Sequence, residues 1–308
     1  MRKGIVGISC VLALQATCAL AGARHTATLT FHLTDNIIRF PVVLNGHKVG
    51  GTLDSGTAAL AVDRRFALSL GMRPGKMVGT AAGGGAVAER VYPVTIDQLD
   101  FGPERLTHVA GVALDLNHLS SASGFPFDVI LGRPAFERRA LRINYPKRRI
   151  TFLAPGAKAA CADPIPVNLA ARVPVVAVTL QATPSARPKI LHMIVDLGTR
   201  YWAAVVGGPF LNTAEGRALE KRGVRVRIGT GTGGRVEGKS VRIAKMIVGK
   251  HKFKNLTIGL SRHVKAFQLG IADGSLGVPL WDKGTITFDD AHHELCLDLP
   301  ESDGAKRS

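Results

Sequence analysis

Apolar and polar positions alternate along most of this chain in short runs. "IIRFPVVL", "VYPVTIDQL", "VVAVTLQ", "LHMIV" and "TITF" each fit one strand, and Gly, Pro, Asn or Asp stand between runs of this kind. Helical spacing is rare. "VDRRFALSLG" (62–71) has it and ends on Gly, and "TAEGRALEKRG" (213–223) starts with a Thr cap and also stops at Gly. The pattern predicts a mostly β protein with many turns and few short helices.

The pattern also occurs twice. "VVLNGHKVGGTLDSGTAALAV" in the first half corresponds to "VVAVTLQATPSARPKILHMIVDLGTRYWAAV" in the second. A Gly-rich turn between strands follows in each half, in "MVGTAAGGGAVAERVYPVTIDQLDFG" and in "RIGTGTGGRVEGKSVRIAKMIVG". Each half then carries Asp-x-x-Leu-Gly, a Pro two residues on, and a strand–turn–strand ending. Gly132 lies 78 residues after Asp54, and Gly277 lies 81 after Asp196. The same order at closely matching spacing predicts two copies of one lobe about a pseudo-two-fold axis. Asp54 and Asp196 would then meet at its centre.

With "LDSGT" (53–57), "VDLGT" (195–199) and the apolar-Gly segments "VILG" (129–132) and "GSLG" (274–277), the chain resembles the pepsin/retropepsin clan of aspartic proteases over nearly all of its length after residue 21. The resemblance implies an all-β fold of two homologous β-barrel lobes, with Asp54 and Asp196 as a catalytic pair and no cofactor. The physical need can be stated separately. Amide hydrolysis takes an activated water and a proton donor. Two adjacent carboxylates sharing one proton supply both, because like charges at that range do not both ionise. Gly56 and Gly198 would let backbone approach the carboxylates, and Thr57 and Thr199 would bond their outer oxygens. Ser55 would cross to the opposite loop and lock the lobes.

Three features depart from the clan. Leu197 stands where a second Ser or Thr is usual, so half of the lock is absent. The flap candidate, with Val78, Gly79, Thr80, Gly83 and Gly84 as substrate-binding positions, has no tyrosine. Residues 22–27 leave little room for a propeptide. Other motifs lead elsewhere. "GTGTGG" (229–234) matches a dinucleotide fingerprint but is followed by strand instead of helix, so it reads as a Gly-rich hairpin. "HHELC" (292–296) lacks tetrahedral ligand spacing, and no metal is expected. There is no Gly-x-Ser-x-Gly elbow.

Composition adds a compartment. Arg2 and Lys3, an apolar stretch and Ala19-Leu20-Ala21 form a signal-peptide pattern over 1–21, which predicts a secreted or periplasmic protein. Cys10 and Cys18 leave with it. Cys161 and Cys296 remain, as a disulfide or as two free thiols. Net charge is +17 and falls to about +15 without Arg2 and Lys3. The basic residues read as dispersed, which fits a solvated surface with weak attraction to anionic envelope polymers. No nucleic-acid-binding signature is present.

The expected organisation is a signal peptide (1–21), an N-terminal lobe (28–155), a linker (156–164), a C-terminal lobe (165–300) and a disordered tail (301–308). The expected activity is that of a monomeric aspartic endopeptidase acting on a peptide or protein substrate. The alternative is a catalytically weakened pepsin-fold peptide-binding protein of the cell envelope.

Overall fold

The computed structural model describes residues 26–81 and 83–300. The signal-peptide and tail segments fall outside the described residues. Among the described residues no helix is long and apolar enough to cross a membrane.

Strands dominate, in three sheets. In the first lobe, Ile37–Leu44 and His47–Leu53 form a hairpin closed by Asn45 and Gly46, both at positive φ. An Asn-Gly pair supplies that left-handed turn with little strain. The order continues through Val129–Leu131, Leu60–Asp63, Glu104–Leu114, Glu89–Phe101 and Gly79–Ala81. A further pairing of Ile37–Leu44 with Glu89–Phe101 closes the barrel.

The second lobe repeats this order strand for strand. Val175–Gln181 and Lys189–Val195 are followed by Gly274–Leu276, Ala204–Val206, His251–Leu260, Gly234–Val248 and Val224–Gly231. Pairing of Val175–Gln181 with Gly234–Val248 closes it. The first lobe adds one strand, His32–Thr34.

The third sheet joins the lobes. Leu141–Asn144 and Thr285–Asp289 lie antiparallel at its centre, Ile143 opposite Ile286. Arg149–Phe152 and Glu294–Asp298 flank them, and Ala27–Thr30 and Ile165–Pro166 form the edges. Equivalent strands of the two repeats thus meet at a pseudo-two-fold axis. One apolar core runs through both lobes and this sheet, with Phe152, Trp281 and Phe288 almost wholly buried.

The helices are short. Arg64–Ser69 is capped by Asp63, which accepts the Phe66 amide, and Ala214–Arg222 by Thr213, which accepts that of Gly216. Asn117–Ser123 and Lys265–Gln268 carry no helical signal strong enough to stand out in the sequence. Cys161 and Cys296 form a disulfide, Cα atoms 5.8 Å apart, that fastens the connecting segment to the last strand.

Candidate active site

Each lobe delivers one aspartate at the end of a strand. His47–Leu53 leads into Asp54, whose amide donates to the Leu131 carbonyl at 3.0 Å. Lys189–Val195 leads into Asp196, whose amide donates to the Leu276 carbonyl at 3.0 Å. The following loop is held from the other side by the apolar-Gly segment. Arg133 donates its amide to the Thr57 carbonyl at 2.8 Å, and Val278 to that of Thr199 at 2.9 Å. Gly132 and Gly277 are required by this approach. A Cβ on Gly132 would lie 2.2 Å from the Ala59 carbonyl oxygen, and one on Gly277 would lie 2.2 Å from that of Trp202.

The two carboxyl groups face each other across the axis: the point that a Cβ on Gly198 would occupy lies 3.0 Å from both Asp196 Oδ1 and Asp54 Oδ2. The Gly56 amide donates to Asp54 Oδ1 at 2.9 Å and the Thr57 hydroxyl to Oδ2 at 3.0 Å. In the second lobe the Gly198 amide donates to Asp196 Oδ1 at 2.7 Å and the Thr199 hydroxyl to Oδ2 at 2.7 Å. Gly56 and Gly198 face the opposite aspartate. A Cβ on Gly56 would lie 2.6 Å from Asp196 Oδ1, and one on Gly198 would lie 3.0 Å from Asp54 Oδ2. Burial, and next the Asp196 charge, push Asp54 up from its usual range to about 7, against the lowering effect of Gly56 and Thr57.

The site is not symmetric. The Ser55 hydroxyl donates to the Val195 carbonyl at 2.7 Å and accepts the Leu197 amide at 3.1 Å. Leu197 cannot return such bonds and is buried in the main core. Behind Thr199 lies the buried Ser275, 2.9 Å away, hydroxyl to hydroxyl. Thr199 spends its one proton on Asp196, so Ser275 is the donor of that pair. The first-lobe position equivalent to Ser275 is the apolar Ile130, so Asp54 has no such relay.

The cleft around the pair has two apolar walls. Ile37, Leu119, Phe127 and Ile130 line the first-lobe side. Ile194, Val205, Val264 and Phe267 line the second-lobe side. Of the expected flap positions, Gly83 and Gly84 line the cleft. Val78, Gly79 and Thr80 do not border it, and Val78 is exposed to solvent.

The sequence showed the second Gly-rich hairpin but not its place in the cleft. Gly229, Thr230, Gly231 and Thr232 also line the cleft. This hairpin meets the first-lobe one, and the Val87 amide donates to the Gly233 carbonyl at 3.1 Å. Their backbones are so close that a Cβ on Gly231 would fall 2.3 Å from the Gly84 carbonyl carbon. The duplication itself was the signal for it, since this hairpin occupies the place of the first flap. Trp202 holds its root, the indole N–H donating to the Ile228 carbonyl at 2.8 Å.

Also unforeseen is a tie at the cleft rim. The first-lobe turn residues Asp35 and Asn36, both at positive φ, reach the second-lobe loop. Arg200 pairs with Asp35 at 2.9 Å, Asn36 donates to the Arg200 carbonyl at 2.9 Å, and the Tyr201 hydroxyl donates to Asp35. Elsewhere, His292 bonds Asp289 at 2.8 Å, and Cys296 is consumed by the disulfide.

The family model described as aspartyl protease matches residues 40–135. No curated protein matches the chain. Among solved structures, a retropepsin-like aspartic protease from Rickettsia conorii aligns at 18% identity and a TM-score of 0.30. The alignment covers 42% of this chain and 91% of that one.

Proposed function

We propose that this chain, whose residues 40–135 match the aspartyl protease family, is an aspartic endopeptidase whose water is activated between Asp54 and Asp196. The observation that carries this reading is the facing carboxyl pair, each member supported by its own Gly amide and Thr hydroxyl. A raised Asp54 keeps one proton in the pair up to about neutral pH. Ser275 bonds the Thr199 hydroxyl that donates to Asp196 Oδ2, a relay that Asp54 lacks. Asp196 then takes a proton from the water, and Asp54 donates its own to the scissile carbonyl oxygen.

The substrate is an extended peptide segment lying in the cleft between the aspartate pair and the two hairpins. Strand-like backbone bonds would hold it, and the two apolar walls would take bulky apolar side chains on either side of the scissile bond. Secretion or periplasmic location and monomeric action complete the proposal. Both aspartates come from one chain.

Leu197 favours one other reading, a catalytically weakened peptide-binding protein, because the lobes are locked from one side only. The deciding experiment incubates the wild-type chain and Asp54→Asn with a mixed peptide library from acid to neutral pH, with and without a transition-state-analogue inhibitor of aspartic proteases. Cleavage by wild type alone, suppressed by the inhibitor, is expected. Equal inactivity of the two proteins, with peptide retained by both, would favour the binder.

A further inference from the structure

Between positions 221 and 265 the chain carries thirteen Lys and Arg against one acidic residue, Glu237. Along the sequence the cations read as dispersed. The second-lobe barrel gathers several of them, because residues directly opposed on neighbouring strands share a face. One row crosses four strands as Ile190, Thr179, Ile247 and Lys252. The adjacent row is Gln181, Lys245 and Lys254. The intervening Leu180, Met246 and Val248 are buried, so both rows point outward.

This face is not electrostatically satisfied. Lys245 and Lys254 stand directly opposite each other, a like-charge pairing that destabilises a sheet. Among the described residues, Lys245, Lys252 and Lys254 take part in no ion pair. At the border, Arg222 and Arg242 donate to backbone carbonyls, not to carboxylates. In contrast, Lys158, Lys189 and Arg262 each have a glutamate partner. At the far end of the first row, three strands from Lys252, Ile190 is 69% exposed.

We propose that this face docks the protein on an anionic lipid bilayer. A set of fixed cations without internal counter-ions matches a surface of dense negative charge. The exposed isoleucine at the far end of the same row suits shallow contact at headgroup depth. A nucleic acid would call for aromatic stacking platforms or Arg forks within a groove, and these two rows form neither. The orientation is compatible with access to the cleft. Lys245 lies eleven residues along its strand from Gly234 at the hairpin tip, roughly 35 Å of extended chain.

The test is co-sedimentation of the full chain with phosphatidylcholine vesicles, neutral or containing about one-third phosphatidylserine. Wild type should bind the anionic vesicles more tightly than the neutral ones, and the difference should shrink as salt is raised. Lys245→Gln/Lys254→Gln should weaken anionic binding about 25-fold, roughly fivefold per charge. Lys48→Gln/Lys76→Gln removes the same charge from exposed positions of the first lobe and should leave binding near wild type. Equal affinity for both vesicle types would overturn the proposal, as would equal losses in the two double variants. So would displacement of vesicles by soluble polyphosphate at equal phosphate concentration, because it would show a preference for a polymer over a surface.

Discussion

Ser55 accepts the backbone amide of Leu197 at 3.1 Å across the lobe interface, and Leu197 has no hydroxyl to return the bond. The same Ser55 hydroxyl donates to Val195 at 2.7 Å, so one side chain carries the lock between the two active-site loops. Ser55→Ala would leave the buried Leu197 amide without this acceptor. The expected cost is about 1–3 kcal/mol, read as a lower urea midpoint, with a larger fall in activity than in stability. Leu197→Thr should keep or raise activity while thermal stability stays equal or falls, since it adds a hydroxyl and removes buried apolar surface. Lower activity in Leu197→Thr at unchanged stability would contradict this account of the lock.

The pair must hold one proton, so replacing either member should stop hydrolysis. Asp54→Asn and Asp196→Asn are each expected to lose all measurable cleavage with the circular dichroism spectrum unchanged. Near-wild-type activity in either variant would exclude the paired mechanism.

Asp54 titrates near 7 in the folded protein against an ordinary value of 3.8. Between these limits the folded state holds a proton that the unfolded chain has released. This contribution to stability is present in full below about pH 4 and is lost as pH rises to about 7. Asp54→Asn should therefore gain stability relative to wild type as pH rises through that window. In wild type, kcat/KM should fall about tenfold per pH unit above neutrality as the pair loses its proton. Chemical denaturation and initial rates across pH 4–9 check both. A loss of stability by Asp54→Asn relative to wild type as pH rises through this window would refute the assignment.

The approach of Gly277 to Trp202 leaves no room for a methyl group, because the added carbon would sit 2.2 Å from a backbone oxygen. Gly277→Ala should destabilise by about 3 kcal/mol or more and reduce activity by shifting the Asp196 loop. Gly229 has nothing within 4 Å of its Cβ direction, so Gly229→Ala should leave the denaturation midpoint nearly unchanged. Equal midpoints for the two variants would count against the packing argument.

The disulfide joins residues 135 positions apart. The chain-entropy relation puts its contribution at about 4–5 kcal/mol as an upper figure. Oxidised protein should expose no reactive thiol from Cys161 or Cys296 when unfolded, and adding reductant should lower the denaturation midpoint. Two reactive thiols from these positions without reductant would show that the bond does not form.

The flap illustrates a limit of the sequence. "GTAAGGG" was legible as a Gly-rich turn, and Gly83 and Gly84 do reach the cleft. Whether Val78 pointed inward depended on how the chain enters the Gly79–Ala81 strand, and it faces solvent. "GTGTGG" was legible only as a hairpin, because nothing within it says that the first lobe's hairpin lies against it. The rim tie of Asp35, Arg200 and Tyr201 joins residues more than 160 positions apart and has no local signature.

What the sequence determined alone is what the backbone demands over a few residues at a time. Period-two alternation specified strands, Asn45-Gly46 specified a turn, and the repeated Asp-x-Gly-Thr and apolar-Gly blocks specified two like lobes. The tertiary structure decided how the two copies differ. It placed Ser275 behind Thr199 but Ile130 in the equivalent first-lobe position, buried Leu197, and brought Lys245 opposite Lys254. These relations arise only when barrels close and lobes pair about the axis. They set charge, hydrogen bonding and burial between residues that the chain itself keeps far apart.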